Sequence, residues 1–497
     1  MNHDALTFTT LYLSKHIKEA EIRVVDKGHT SLFGLVEFAA AAAFELLKQL
    51  EKTAEPIYLL AGNGNNGSDT YLLASLLLHA GIQASVMSHH KTHLSTELER
   101  AKGAYLSQGG TVQPFNVSVI LGAQVIVDGL LGTGLRKGKL TPELESVISA
   151  VNESKAWVLS LDVPSGIDAD TGFAFSSAII ADVTLSFGGI KQGLYTGRAR
   201  HCTGQVHHAF VGLINQLPES KTIKVSQLNL AKMLPPRQKD SHKGDNGKVL
   251  IIGGDTGMVG AVSMAAEACL RAGAGLVSVI SKSEHLMVVS SRRPEIMFCA
   301  CDRIDKDVRK RFDWADVLVI GPGLGRGPWG EALLNTAKHC NKHCVVDADA
   351  LNLLKGQGWH HGDWILTPHS GEAARLLDIS RVEVEQDRFS AVKQIYQIYG
   401  GVVVLKGAGT LIYDGEQMIV VPVGNPGLAT AGSGDVLSGV IGALLAQGLT
   451  ALHAAILGVV VHGKAADLAI KEGERGMLAS DLMLFIRKLL NENIIKI

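Results

Sequence analysis

Short apolar runs alternate with longer amphipathic segments along the whole chain. The runs read IYLLAG, QVIVDGL, WVLSLD, KVLIIGG, DVLVIGPG, HCVVDAD, DWILTP and GVVVLKG. Nearly continuous apolar strands bounded by glycine are typical of parallel sheets whose two faces are both buried. The pattern therefore predicts an α/β protein in which helices cover parallel sheets on both sides.

The chain is long enough for more than one such domain. Its 497 residues exceed the usual size of a single domain, which is ~100–250 residues. Pro218, Pro235 and Pro236 interrupt a polar stretch near the middle, and we place the boundary near Lys221. The prediction is two three-layer αβα domains, residues 1–220 and 221–497.

Composition and charge exclude several classes of protein. The formal net charge is -1 and no long Lys/Arg run occurs, so nucleic acid is not expected as a partner. Glycines and polar residues break the apolar stretch from Val436 to Val461, which predicts two buried helices and no membrane span. Six cysteines in so long a chain do not form a disulfide framework. The expected location is a reducing cytoplasm.

In the first half, one glycine-rich loop follows a strand and precedes a helical pattern. The loop runs from Gly62 to Asp69 and reads GNGNNGSD. Its backbone N–H groups and the helix N-terminus suit a phosphate or another polar ligand; a simple tight turn is the alternative. The next strand, IQASVM, ends without the carboxylate that a conventional dinucleotide fold places on the ribose. Ordinary NAD redox binding is therefore disfavoured.

Polar side chains follow three further strands of this half. They are Asp128, Asp162 with Ser165, and Lys191. Because parallel strands end at one edge of a sheet, we expect these groups to share a crevice. Asp128, Asn66 and Ser165 could supply oxygen ligands to a cation, and Asp162 could move a proton. The alternative for each carboxylate is a helix cap or a turn.

With NGNNGSD, VDGLLGTGL, DVPSG and KQGL together, residues 10–215 resemble the Rossmann-like epimerase domain of bacterial NAD(P)H-hydrate repair enzymes. The resemblance implies interconversion of the R and S hydrates of NADH and NADPH. It implies that Asp162 is catalytic and that Asn66, Asp128 and Ser165 bind potassium (K+). The implied substrate-binding residues are Asn65, Asn66, Gly67, Ser68, Asp69, Gly132, Thr133, Gly134, Leu135, Arg136, Lys137, Gly138 and Asp162.

Two residues of the first loop depart from this family. Ser68 and Thr70 stand where the family usually has glycine, and a side chain there can crowd a ligand or forbid a positive φ. An alternative is therefore that the first domain is a non-catalytic binding or oligomerisation module.

The second half carries four loops of small residues after its strands. They are 253–261, 321–325, 406–410 and 425–435, the last reading NPGLATAGSGD before a helix. Free backbone N–H groups and a helix N-terminus favour phosphoryl chemistry there. Asp435 could accept a proton from a substrate hydroxyl, or only cap the helix. Lys406 could neutralise phosphate charge, and the alternative is a surface lysine at a strand end. For His369, the alternative to a role in the site is a buried histidine that is only packed.

GPGLG, DADALNLL, TPHSGE and NPGLATAGSGDVLSG together resemble the ribokinase-like superfamily, and within it the ADP-dependent NAD(P)H-hydrate dehydratases. The resemblance covers residues 225–495, with Ser370 where the family commonly has proline. It implies that Asp435 is catalytic. The implied substrate contacts are Ala261, Gly325, His369 and Asp435, and the implied nucleotide contacts are Lys406, Gly407, Ala408, Gly409, Thr410 and Gly434.

These resemblances imply a bifunctional repair enzyme. It would epimerise hydrated NADH and NADPH and dehydrate the S form, with ADP as phosphoryl donor and magnesium (Mg2+) bound to the nucleotide. A homo-oligomer with no membrane partner is expected. The alternative for the second domain is a small-molecule kinase of the same superfamily.

Overall fold

A computed structural model describes residues 5–89, 94–134 and 140–497. The chain forms two compact units. The N-terminal unit is Thr10–Thr222, and the C-terminal unit is Ile223–Ile497 together with residues 5–9. The prediction that the first domain starts at residue 1 is therefore wrong for residues 5–9. They join the C-terminal unit because Leu6–Thr10 is a strand that pairs with Thr222–Asn229.

The strands are β1 (Leu6–Thr10), β2 (Ile57–Ala61), β3 (Ala84–Ser88), β4 (Val112–Gln113), β5 (Val125–Gly129), β6 (Trp157–Leu161), β7 (Val183–Phe187), β8 (Gln205–Ala209), β9 (Thr222–Asn229), β10 (Lys248–Ile252), β11 (Leu276–Ser281), β12 (Met297–Ala300), β13 (Val317–Ile320), β14 (His343–Val346), β15 (Trp364–Leu366), β16 (Val402–Leu405), β17 (Thr410–Tyr413), β18 (Met418–Val421) and β19 (Ile494–Lys496).

The α-helices are α1 (Ser14–Asp26), α2 (Leu32–Gln49), α3 (Asn65–His79), α4 (Thr96–Ser107), α5 (Val117–Gly122), α6 (Pro142–Glu153), α7 (Ala199–Cys202), α8 (Leu230–Met233), α9 (Val259–Arg271), α10 (Leu286–Arg292), α11 (Lys306–Trp314), α12 (Pro328–Lys338), α13 (Ala348–Leu354), α14 (Ser370–Leu377), α15 (Arg381–Gln386), α16 (Arg388–Tyr399), α17 (Ser433–Ala446), α18 (Ala451–Ala469) and α19 (Leu482–Leu489). Short 3-10 helices cover Gln192–Tyr195, Lys243–Asn246, Ser283–His285, Pro426–Leu428, Ile470–Glu472 and Ala479–Asp481.

The N-terminal unit is built on one parallel sheet. Its strand order is β4-β3-β2-β5-β6-β7-β8. Successive residues of β2 point to opposite faces, and each face is covered. Leu59 packs with residues of α2 and α3, whereas Leu60 packs with residues of α5 and α6. The result is the predicted three-layer αβα arrangement.

The C-terminal unit contains a larger, mixed sheet. Its order is β12-β11-β10-β13-β14-β15-β16-β17-β18-β9-β1, and β19 pairs with β9. The strands from β12 to β16 are parallel, while β17 and β18 are antiparallel to their neighbours. Val249 and Ile251 of β10 face α9, α17 and α18, and the alternate residue Leu250 is buried on the other face.

The long apolar stretch forms two helices of the C-terminal core, α17 and α18. Among the described helices, α18 alone is long and apolar enough to cross a membrane, and 67% of its apolar window is buried inside the protein. This burial is that of a core helix.

Candidate active sites in the two units

The N-terminal unit has a cleft where its strand order reverses. β3 lies on one side of β2 and β5 on the other, so the loops after β2 and β5 diverge. The two loops still approach closely at Gly62, where a Cβ atom would lie 1.8 Å from the Leu130 carbonyl oxygen. Only glycine allows this approach, and the first glycine of the sequence motif therefore shapes the cleft.

A cavity of about 640 Å³ occupies this cleft. The predicted substrate-binding residues that line it are Asn65, Asn66, Asp69, Gly132, Thr133, Gly134 and Asp162. Gly67 and Ser68 are buried behind the lining and do not reach it, because α3 begins at Asn65 and turns both residues inward. Leu135, Arg136, Lys137 and Gly138 lie outside the described residues.

Two of the three predicted cation ligands, Asp128 and Ser165, are in direct contact. The Asp128 carboxylate, fully buried, accepts hydrogen bonds from the Ser165 hydroxyl at 2.5 Å and the Ser160 hydroxyl at 2.8 Å. The Asn66 amide nitrogen donates to the carbonyl oxygens of Leu131 at 2.9 Å and Leu161 at 2.8 Å. The Ser165 hydroxyl and the Asn66 amide nitrogen both donate to the Leu131 carbonyl oxygen, which therefore links Asn66 to the buried Asp128–Ser165 pair.

Asp162 forms an ion pair that the sequence did not predict. Its carboxylate accepts from the Lys191 ammonium, which also donates to the Phe187 carbonyl oxygen at 2.7 Å. The side chains of Lys191 and Asp162 are only 2% and 13% exposed. Asp162 has a φ of +66°, a strained conformation for a residue other than glycine. The KQGL segment carried the only sequence signal for Lys191, a lysine just after a strand.

Two more carboxyl groups, Asp69 and Glu21, line the same cavity. Burial, and then the charges of Asp162 and Glu21, raise the pKa of Asp69 well above its usual range. Burial also raises the pKa of Glu21, against the opposing effect of Lys191. Protonated and ionised carboxyl groups can therefore coexist here, as acid–base chemistry requires.

Ser68 and Thr70 do not crowd the cavity. Both are completely buried within α3, and neither is among the described residues with a positive φ. The Thr70 hydroxyl donates to the Asn66 carbonyl oxygen at 2.6 Å. The Ser68 hydroxyl has no hydrogen-bond partner within the described part of the chain.

The C-terminal unit repeats the reversal of strand order between β10 and β13. The Asp255 amide in the loop after β10 donates to the Gly323 carbonyl oxygen in the loop after β13 at 2.6 Å. Ala261, in the first turn of α9, lies beside Gly323. The amide of Gly325 donates to an Asp349 carboxylate oxygen at 3.0 Å. Ala261 and Gly325 thus belong to one crevice.

Lys406 is held under the first turn of α17 by buried carboxylates. Its Nζ atom lies 2.7 Å from Asp347 Oδ1 and 3.8 Å from Glu372 Oε2. A Cβ atom added to Gly434 would be 3.3 Å from the same Nζ. Burial lowers the pKa of Lys406, but Asp347 and Glu372 outweigh burial and leave it raised. The surface-lysine alternative is therefore wrong, because Lys406 is enclosed and paired.

Asp435 lies at the start of α17 without capping it. The N-cap is Gly432, and Asp435 is the third helical residue, which excludes the N-cap alternative. Burial, and then the charge of Asp347, raise the pKa of Asp435 to about 7. A carboxyl group with that pKa is suited to accept a proton near neutral pH.

His369 is the N-cap of α14, and its ring is about half exposed. The Nδ1 atom accepts a hydrogen bond from the Gly371 amide at 2.9 Å. The Nε2 atom, on the other side of the ring, lies near Glu372. Burial, and then the charges of Lys406 and Arg375, lower the pKa of His369 to about 4. His369 is therefore neutral at pH 7, and it is not the packed histidine of the alternative.

Arg388 is a supporting residue that sequence reasoning missed. It is 1% exposed and donates to the carbonyl oxygens of Leu405 at 3.3 Å and Lys406 at 3.2 Å. It also donates to the Ser370 hydroxyl at 3.2 Å, and Ser370 donates to Glu385. The serine that replaces the usual proline thus belongs to a network that holds the 406–410 loop.

Among the described residues, no group of three or more His, Cys, Asp or Glu side chains is arranged to hold a metal ion. The six cysteines are free thiols.

Comparisons with known proteins find matches to both units. A family model described as NAD(P)H-hydrate dehydratase matches residues 249–488, and one described as YjeF-related protein N-terminus matches residues 33–193. The bifunctional NAD(P)H-hydrate repair enzyme of Coxiella burnetii is 43% identical over 97% of this chain and 100% of its own length. The chain belongs to the family of bifunctional NAD(P)H-hydrate repair enzymes. The Escherichia coli K12 relative, of the same description, is 40% identical over 98% of this chain and 95% of its own length.

A solved structure also matches the C-terminal unit. It is the ADP/ATP-dependent NAD(P)H-hydrate dehydratase of Bacillus subtilis, co-crystallised with ATP/Mg2+. It is 26% identical, covers 52% of this chain and 94% of its own, and has a TM-score of 0.47. Because bifunctional repair enzymes match both units over nearly their whole length, the small-molecule kinase alternative is set aside.

Replacing the buried residues Ser68 and Thr70 with alanine should affect stability differently. Ser68→Ala removes a buried hydroxyl without a partner, so the unfolding free energy should stay constant or rise by up to about 1 kcal/mol. Thr70→Ala breaks the bond to Asn66 and should lower it by about 1 kcal/mol. Thermal denaturation measures both. The epimerisation rate of Ser68→Ala should match the wild type, and a several-fold loss would place Ser68 in the site.

Proposed function

We propose that the N-terminal unit interconverts the R and S hydrates of NADH and NADPH, and that the C-terminal unit dehydrates the S hydrate with ADP. The observation that carries the second part is Asp435, a buried carboxyl group in the first turn of α17 with a pKa of about 7, next to Gly434, which lies against the Lys406 ammonium. The first part is supported by the Asp162–Lys191 pair and the neighbouring Asp69 in one cavity.

Epimerisation of a carbinolamine requires proton transfer to and from its hydroxyl oxygen. Asp69 has a pKa raised well above its usual range and can supply a proton to that oxygen. The C–O bond then breaks and water leaves; when water adds to the other face of the ring, Asp162, held beside Lys191, can take its proton. The cavity of about 640 Å³ has room for the nicotinamide end of the substrate.

The oxygen cluster beside this cavity fits a potassium ion. Asp128, Ser165 and Asn66 offer hard oxygen ligands, and the Leu131 and Leu161 carbonyl groups lie within hydrogen-bonding distance of Asn66. Potassium prefers such oxygen donors. A bound cation would add positive charge next to the phosphate-bearing substrate, opposite the negative charge of Asp162.

Dehydration needs a better leaving group than hydroxide. Asp435 accepts the proton of the carbinol hydroxyl. The carbinol oxygen attacks the β-phosphoryl group of ADP at the same time, and AMP is the leaving group. Loss of phosphate from the resulting ester, together with a proton from the neighbouring ring carbon, then forms the ring double bond and restores the dihydronicotinamide. Neutral His369, with Ala261 and Gly325, contacts the hydrated substrate in this proposal.

The 406–410 loop and Gly434 hold the adenine nucleotide. Lys406 lies against Gly434, where its charge opposes that of the phosphates. Mg2+ would arrive with the nucleotide and take most of its ligands from phosphate and water, as it commonly does in phosphoryl-transfer sites.

We further expect a homo-oligomer in a reducing cytoplasm. Three large apolar side chains of the N-terminal unit, Phe38, Phe210 and Ile214, are about half exposed, which favours contact with another chain. The free thiols fit a reducing compartment.

Asp435→Asn should lower dehydration of the S hydrate at least ~100-fold, because the amide cannot accept the proton. In the wild type, the rate should rise with pH through about 7, since only the ionised carboxylate is a base. Both are measured as NADH absorbance regained from S hydrate with saturating ADP and magnesium. Asp26→Asn, at an exposed aspartate of α1, is the matched control. Retained activity in Asp435→Asn would refute the assignment.

Asp162→Asn should slow conversion of R to S hydrate at least ~100-fold while dehydration of S hydrate stays unchanged. Epimerisation is followed by chromatography of the two hydrates without nucleotide, again beside Asp26→Asn. If Asp162→Asn epimerises at the wild-type rate, Asp162 is not the proton carrier.

Replacing potassium with tetramethylammonium should lower the epimerisation rate, because the larger cation does not fit the oxygen cluster. Asp128→Asn should lose the potassium stimulation, since it removes the carboxylate charge. Epimerisation that is indifferent to the cation in the wild type would argue against the potassium site.

A further inference from the structure

Asp347, the first residue after β14, links three elements of the dehydratase site. It is 1% exposed, and its Oδ1 atom accepts from the Thr367 hydroxyl at 2.8 Å and from the Lys406 ammonium at 2.7 Å. Its Oδ2 atom accepts from the Ser438 hydroxyl in α17. The donors come from the ends of β15 and β16 and from the second turn of α17. Nothing derived above from the sequence gave Asp347 a role.

The ion pair of Asp347 with Lys406 lies under the first turn of α17. A Cβ atom on Gly434 would be 3.3 Å from Lys406 Nζ and 3.8 Å from Asp347 Oδ2. Asp435 is the next residue of the chain. Lys406 nevertheless pairs with Asp347 and Glu372, and among the described residues no ion pair joins it to Asp435.

The charges that face Asp435 leave it poorly neutralised. Asp347 and Asp349 follow β14, Glu372 belongs to α14, and each raises the pKa of Asp435, whereas Lys406 lowers it. The two nearby histidines add no positive charge at neutral pH. Burial is the main cause that lowers the pKa of both His369 and His462 to about 4. Lys406 pairs with Asp347 and Glu372, and Asp349 pairs with Arg326, so the cations near Asp435 already have other partners.

We propose that Asp347 is a positioning residue for dehydration: by engaging the Lys406 ammonium it keeps that lysine from pairing with Asp435, which therefore remains a competent proton acceptor. The proposal rests on the role of Asp435 proposed above. It adds that a buried residue outside the substrate contacts determines the strength of the base.

Removing the charge of Asp347 has two effects, and both lower the pKa of Asp435. The carboxylate whose charge most disfavours ionisation of Asp435 disappears, and Lys406 loses its closest partner and can approach Asp435. Both changes favour the ionised form of Asp435 and lower its pKa. The acidic limb of the pH–rate profile then moves to lower pH, and the ionised but paired base becomes weaker.

The test is the pH dependence of kcat/KM for the S hydrate at saturating ADP and magnesium. In Asp347→Asn, the acidic limb should shift down by about one unit from its wild-type position, with a lower plateau. Thr367→Val removes a hydrogen bond to the same carboxylate but no charge, and its limb should stay at the wild-type position. A limb that stays unchanged in Asp347→Asn would overturn the proposal.

Lys406→Gln should shift the acidic limb of the pH–rate profile in the opposite direction. It also provides a test if Asp347→Asn does not fold. It removes the one nearby charge that lowers the pKa of Asp435, so the limb should move to higher pH. An unchanged or lowered limb in this variant would contradict the proposal. Failure of the proposed function looks different: the wild type would then lack an acidic limb near pH 7, or Asp435→Asn would remain active.

Discussion

Both units depend on the reversal of strand order at the centre of their sheets. The strands β2 and β10 each have neighbours on both sides whose connections run in opposite directions, so the loops at their carboxyl ends separate. Close backbone contacts just below the opening, at Gly62 in one unit and between Asp255 and Gly323 in the other, bring the loops together without closing the cleft. Each site is therefore a consequence of topology before it is a consequence of particular side chains.

Each cleft contains a buried lysine–aspartate ion pair and, near it, a further carboxyl group. Lys191 engages Asp162, while burial keeps Asp69 able to hold a proton. Lys406 engages Asp347, while Asp435 keeps a pKa of about 7. A buried ion pair is a poor source of stability, because desolvation offsets its attraction. Here the charges of the two pairs act on the pKa of a neighbouring carboxyl group, Asp69 in one unit and Asp435 in the other.

The sequence predicted the elements and loops because these depend on local patterns. Apolar runs became strands in parallel sheets, and Asp128 in β5 contacts Ser165 after β6 because these two parallel strands are neighbours. The pairing of Lys191 with Asp162 and of Lys406 with Asp347 depends on side-chain direction across distant strands, which no local pattern encodes. Side-chain direction also explains Ser68: it lies on the buried side of α3, away from the cavity, and the loop sequence does not show this. Strand β1 joined the C-terminal unit through a pairing more than 200 residues apart in sequence.

The central claim is that two independent sites act in sequence on one damaged cofactor. The most direct measurement is the return of NADH absorbance from mixed R and S hydrates, with potassium, magnesium and ADP. We predict complete recovery by the wild type, and complete recovery by an equimolar mixture of Asp162→Asn and Asp435→Asn, since each variant supplies the site the other lacks. Recovery by the wild type that stops at the S fraction would contradict the account.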